Sequence, residues 1–358
     1  MTATVDMGKL SAKHTAPETA VRTRGRHWAE TRLKAYGILA IGLAGAALLI
    51  LLSTIVFKTA NVFYERYITL EAEIEISDRD RARLEDPNPR MRANLDGVVK
   101  DALIAQIPTD LGRTELRQLI ALRSGDAGLE LGDMVKADPS LVGQTVTFDA
   151  LLDDDTQLYL KGSYGELETL ASDGTLRIEP ADSGAEGTVE LYMGPTALTE
   201  AFELIRAQRI RDARRERAEA DRQANGVRVT EERLVEAETE EERQELQTQL
   251  ERFTAARDAA NQRANRLLTL ATNMADATFE MQPRDVSILI EANGGWIKAT
   301  VLEREHITGE ILTPLDSMEA VPEGDWQAWV MERPESTRPI KDQQIAWLEA
   351  FKDDGKIV

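Results

Sequence analysis

The chain has 358 residues, a formal charge of −20 at neutral pH, 42% hydrophobic and 30% charged residues, and no cysteine. Without cysteine, disulfide staples and thiol nucleophiles are excluded. The negative field repels nucleic acid and anionic solutes at long range, which argues against a nucleic-acid partner.

Residues 1–35 are the exception in charge, with seven Lys or Arg against three acids, a net +4. They hold too little apolar material for a core and read as a disordered basic tail. Tyr36–Phe57 then runs for 22 residues without a charge. As a helix it spans about 33 Å, enough to cross a hydrocarbon layer about 30 Å thick. The basic residues crowd before it, so the tail is expected in the cytoplasm and residues 58–358, which carry −24, across the membrane. A cleaved signal peptide is the competing reading, but it calls for a shorter apolar core and a small-residue cleavage site. Gly37, Ala40, Ala44 and Ala47 share one face on which another membrane helix could pack closely, and Ile41, Leu48, Leu52 and Ile55 fill the other.

The part beyond the helix is expected to be α+β, with short antiparallel strands and helices in 58–195 and 277–358 on either side of a long insertion. Alternation from Ile68 predicts a strand leaving the membrane, and Asp78–Pro89 reads as a charged loop. Leu95, Val98, Val99, Ala102 and Leu103 make one helical face, Leu116, Leu119 and Ile120 another, and Asp138-Pro139-Ser140 closes a third helix. Strands are expected at Thr145–Leu152, Gln157–Lys161, Thr175–Glu179 and Thr188–Met193. Val286–Ala292 and Trp296–Leu302, joined by Asn293-Gly294, read as a hairpin, and a last helix is expected from about Lys341 to Lys352.

Residues 196–276 form the insertion, rich in Ala, Glu, Arg and Gln. Leu246, Leu250, Phe253, Arg257, Ala260, Ala264, Leu267, Ala271 and Met274 recur at spacings of four and three, the seam of a coiled coil. The first half is poorer, with Leu198, Phe202 and Ile205, then Ile210, Ala213, Ala220 and Ala224 in a shifted register. An antiparallel helical hairpin is expected, with its ends on neighbouring strands. Its tip falls at Asn225-Gly226 or at Thr239-Glu240-Glu241-Glu242; the second, a capping-box pattern, gives arms of nearly equal length and is preferred.

Catalytic patterns are scarce. His306 is the only histidine outside the tail, and it stands alone as a surface residue near a strand end. No nucleotide-binding P-loop or Gly-x-Ser-x-Gly elbow occurs. Asp153-Asp154-Asp155 lacks the spacing of a calcium loop and reads as a solvated turn. The arginines from Arg206 to Arg222 alternate with acids and read as solvated coil charges. No enzyme activity, metal or cofactor is expected.

Three ordered blocks carry a resemblance. They are Ala35-Tyr36-Gly37-Ile38-Leu39-Ala40-Ile41-Gly42-Leu43, then Ala137-Asp138-Pro139-Ser140-Leu141-Val142-Gly143-Gln144-Thr145-Val146-Thr147-Phe148, and Asp342-Gln343-Gln344-Ile345-Ala346-Trp347-Leu348-Glu349-Ala350-Phe351 with Gly355-Lys356-Ile357. Together they resemble the extended A-type permease subunit of bacterial phosphate ABC transporters found in alphaproteobacteria. The resemblance implies an inner-membrane anchor followed by a large periplasmic domain, with the family's remaining permease helices expected after Val358. It implies as partners a companion permease subunit, an ATPase subunit and a periplasmic phosphate-binding protein. The insertion at 196–276 has no counterpart in that pattern. A stand-alone single-pass coiled-coil scaffold or sensor of the cell envelope is the alternative, and a membrane-anchored hydrolase has the least support.

Overall fold

A computed structural model describes residues 34–54, 64–86, 88, 93–108, 111–181, 187–272 and 278–358. The chain divides into two units, residues 1–64 and 65–358. In the first, helix α1 (Lys34–Thr54) is 21 residues long and apolar enough to cross a membrane. Its apolar side chains are bare, with Ile38 and Ile41 about three-quarters exposed. The end of the expected span at 55–57 and the tail before Lys34 lie outside the described residues.

The second unit is mixed α and β, with antiparallel pairing throughout. It begins with β1 (Tyr67–Glu73), where Ile68, Leu70 and Ala72 point into a core and the residues between them do not. Helix α2 (Asp78–Glu85) follows where the charged sequence reads as loop. Ser77 caps it by accepting from the Asp80 amide at 3.2 Å, and Asp78 and Asp80 sit in the first turn, where acids favour a helix. The expected apolar faces form α3 (Asp96–Ile104), α4 (Arg113–Ile120) and α5 (Ala127–Ala137). Strand β2 (Thr145–Leu151) pairs with β1 along its whole length.

A second departure comes at Gln157–Lys161, expected as a strand and found in helix α6 (Asp154–Leu160). Here Asp153 is an N-cap, accepting from the Asp155 amide at 3.2 Å, so the three aspartates start a helix instead of filling a loop.

Short strands β3 (Leu167–Thr169), β4 (Arg177–Pro180) and β5 (Thr188–Tyr192) precede the insertion. Strands β6 (Phe279–Glu280), β7 (Ser287–Ala292), β8 (Gly295–Leu302), β9 (Ile307–Ile311) and β10 (Gln327–Met331) follow it. Together they build one sheet in the order β3-β10-β7-β8-β9-β5-β4, with β6 pairing β8. Asn293 and Gly294 have φ of 47° and 72°, the left-handed pair that a two-residue turn between twisted strands demands. Strand β7 is buried on both faces. Ile288 and Ile290 join a core with Val189, Leu191 and Ile297; Leu289 joins another with Leu70, Phe148 and helix α9 (Asp342–Asp353).

Between β5 and β6 stand the two longest helices of the body, α7 (Pro195–Glu236) and α8 (Glu240–Thr272). At 1.5 Å per residue they reach about 63 and 50 Å. The strands they leave and enter are not neighbours, because β5 pairs β9 whereas β6 pairs β8. The expected adjacency fails since the first turns of α7 cross the sheet before the hairpin departs: Ala197, Leu198, Ala201 and Ile205 belong to the sheet's core.

Candidate functional site

The hairpin and its root hold the most specific polar arrangement of the described residues. Helix α7 starts at Gly194-Pro195, with proline at a position that needs no amide. Its free amides are met from a distant loop: Asp173 accepts from the Ala197 amide at 3.0 Å. Burial alone would raise the Asp173 carboxyl, but the amides of Ala197 and Thr196 and the Thr196 hydroxyl hold it below the usual range.

Three turns later the helix is fastened to the chain that re-enters the sheet. Gln208 donates to the Arg284 carbonyl and accepts from the Val286 amide, both at 2.7 Å. Arg209 gives two hydrogen bonds to Asp285, at 2.8 and 2.5 Å, with 1% and 4% of the two side chains exposed. Its guanidinium lies 3.8 Å from the centre of the Phe279 ring. The Asp285 carboxylate also accepts from the Gln282 amide, so one buried ion pair ties the outgoing helix to the returning loop. Arg209 belongs to the Arg206–Arg222 run that the sequence reads as solvated coil charges, and its burial against Asp285 corrects that reading at this one position. The available signal was an arginine and an aspartate, each beside an apolar run, but their pairing is 76 residues apart.

Beyond the root, α7 shows a second pattern. Arg209, Glu216, Gln223 and Thr230 recur every seven residues, and Ala213, Ala220, Val227 and Leu234 recur four after each. All eight are buried or half-buried. This is a coiled-coil seam with one of its two positions polar throughout, which is why apolar spacing alone gave a broken register. Opposite it, Leu246, Ala260, Ala264 and Ala271 of α8 are buried and Leu250, Phe253 and Leu267 are half-buried, while Met274 lies outside the described residues. Arg263 donates to Glu216 at 2.8 Å, and the Phe253 ring sits over Gly226, where a side chain would meet it at 3.0 Å. Contacts at 216 and 226 thus meet 263 and 253 in reverse order: the arms are antiparallel. Glycine 226 is a packing site inside α7 and not the tip. The turn is at Ala237–Thr239, with Thr239 Oγ1 accepting from the Glu242 amide at 3.2 Å.

Two further features border this unit. A cleft of about 900 Å³ beside the root is lined by Leu198, Phe202, Arg206, Glu303 and Arg304. His306 stacks on Tyr192 at 5.1 Å at the start of β9, and Arg177 covers the other ring at 4.9 Å. On the far side of the sheet, Asp342 is buried with Arg338, the Ser287 hydroxyl at 2.8 Å and Lys298 at 2.7 Å, and Glu335 takes a second bond from Lys298 at 2.7 Å. Burial would push the Asp342 carboxyl up; Arg338 and Lys298 outweigh it and hold it low. The same carboxylates keep Lys298 high against the effect of its own burial. Both Asp342 oxygens are occupied, so the cluster clamps α9 to β7 and β8. The membrane-helix face Gly37, Ala40, Ala44 and Ala47 is exposed along α1 among the described residues of that unit.

Residues 20–168 match a family model described as a domain of unknown function, DUF3333. No curated protein and no solved structure matches the chain.

Proposed function

We propose that the chain is the membrane-anchored N-terminal part of a phosphate ABC importer permease subunit, and that its hairpin docks or spaces the transporter's partners. The observation that carries this reading is the placement of the family-like blocks. The second block enters β2, which lies along one edge of β1. The third ends in Gly355-Lys356-Ile357, which with the next residue, Val358, lies along the other: the Thr69 amide donates to the Lys356 carbonyl at 2.8 Å and the Val358 amide to that of Tyr67 at 3.0 Å. Phe148 of the second block and Trp347, Leu348 and Phe351 of the third share one core. Two blocks so distant in sequence meeting on one strand support a common inherited module over chance likeness in the body.

In this reading α1 crosses the inner membrane, with the basic tail in the cytoplasm and the body in the periplasm. The Gly37, Ala40, Ala44 and Ala47 face packs against further membrane helices of the assembly. One helix cannot enclose a polar path, so transport requires the other helices, an ATPase subunit and a companion permease. The negative charge of the exported part argues for docking a protein such as the phosphate-binding protein and against a phosphate pocket of its own. No catalytic step is assigned to it.

Photo-crosslinkers placed at Glu245 and Arg252 in phosphate-starved cells test the role. Adducts with the phosphate-binding protein or companion permease are expected; adducts with neither would overturn it.

A further inference from the structure

Helices α7 and α8 contain fourteen arginines and no lysine. Several are neutralised within the hairpin, as in the pairs Arg215–Asp212, Arg222–Glu219, Arg228–Glu232 and Arg263–Glu216. The charges left without a partner among the described residues are sorted along its length. Arg211, Arg214, Arg217 and Arg266 lie toward the root, whereas Glu231, Glu236, Glu238, Glu241, Glu242, Glu245 and Glu251 lie toward the tip; Asp221, Arg233 and Arg252 are the exceptions.

The outward face of α7, opposite its seam, repeats this division of sign in a regular way, with Arg211 and Glu236 unpaired among the described residues and Arg215, Arg222 and Glu232 each sharing an exposed pair along their own helix. Arg211, Arg215, Ala218 and Arg222 stand at spacings of four, three and four. Read back from the tip, Glu236, Glu232, Val229 and Asn225 have the same spacings. Val229 keeps 38% of its surface exposed and Arg215 81% of its side chain.

We propose that a second copy of this chain docks on this face, the two α7 helices running antiparallel about a two-fold axis. In that register Arg211 meets Glu236, Arg215 meets Glu232, Ala218 meets Val229 and Arg222 meets Asn225, and by symmetry each contact occurs twice. The matched spacing makes both stripes one heptad seam, so side chains meet between the helices along the whole overlap. On the flanks Glu219 approaches Arg228 favourably and Arg214 approaches Arg233 unfavourably. An anionic lipid surface fits the same face less well, because it would repel Glu232 and Glu236. The antiparallel arrangement also puts the two negatively charged bodies at opposite ends of the pair, where their repulsion is weakest. The pairing rests on the hairpin's charges alone and not on the transporter reading.

The absence of native cysteine gives a clean test. Full-length Ala218→Cys and Val229→Cys proteins, purified in detergent micelles, are oxidised separately and as a mixture. The mixture is expected to form a disulfide dimer at least about tenfold faster than either protein alone, since like positions lie roughly 16 Å apart along the axis. Charge reversal with Arg211→Glu and Arg215→Glu should slow that link about tenfold, and Glu232→Arg with Glu236→Arg in the other copy should restore it. All four residues are exposed on a helix, so thermal melts should be unchanged. No link in the mixture, an equal link by Ala218→Cys alone, or no rescue would overturn the pairing.

Discussion

Strand β7 and helix α7 are both buried along much of their length, yet they use opposite means. At the centre of β7 the inward positions are met by apolar side chains, Ile288 and Ile290 on one side and Leu289 on the other, while Ser287 at its start is buried against the Asp342 cluster. Along α7 from its root outward, every second inward position is polar, from Arg209 to Thr230. Apolar burial stabilises without fixing register closely, whereas a buried polar position tolerates only the register that satisfies it. The body is therefore the source of stability, and in the hairpin the pairing is defined at Glu216, which Arg263 of the other arm meets, and at the root by Arg209 and Asp285, while Gln223 and Thr230 bond within α7 itself.

That contrast is sharpened most by removing a large body side chain. Trp347 is 1% exposed, and Trp347→Ala should cost about 3–5 kcal/mol and lower the midpoint of urea unfolding of the whole body. Arg209→Met should cost a comparable 3–5 kcal/mol because it strands Asp285 in the interior. Adding Asp285→Leu should recover most of that loss, whereas no second change should rescue Trp347→Ala. If the double variant stays as unstable as the single one, the root is held by packing and not by the pair.

The clamp on α9 gives the body a pH limit. The Asp342 carboxyl is depressed when folded, so its contribution is present above the unfolded value of about 3.9 and is lost as pH falls below it. Asp342→Asn should lower stability at neutral pH and flatten the acid limb of a stability–pH curve. A limb of unchanged steepness would remove Asp342 from the account.

Within the hairpin, Gly226→Ala would gain roughly 1 kcal/mol in an open helix. Here the new methyl meets the Phe253 ring, so the gain should vanish or reverse, read as faster hydrogen exchange across the middle of both arms. The smallest effect is expected at Glu291, whose carboxyl is raised by burial despite its bond from Trp329. Such a group costs stability once ionised, so Glu291→Gln should raise the melting temperature by about 2 °C at pH 7 and by nothing at pH 4.

Much of the fold was legible in the sequence where one physical signal dominated. The uncharged run of α1, the alternation of β1, the Asn293-Gly294 turn and the apolar seam of α8 each follow from a single periodicity or turn chemistry. The failures have a common cause in residues that act through local hydrogen bonds. Ser77 and Asp153 turn polar segments into helices by capping them, and composition alone reads both as loops. The root of the hairpin was illegible for another reason. Gln208, Arg209 and Asp285 acquire meaning only after the chain has folded back across 76 residues, and nothing local marks them. The polar seam is present in the sequence as a period of seven, but its polar members hide it from an apolar periodicity.

The most direct test of the account excises the hairpin beyond its root. Residues 214–265 are replaced in the native cell by a short Gly-Ser turn, keeping Arg209 and Asp285, and uptake of labelled phosphate is measured at limiting concentration. The protein is expected to accumulate at its normal level while uptake falls severalfold. Normal uptake by cells holding the shortened chain would contradict it.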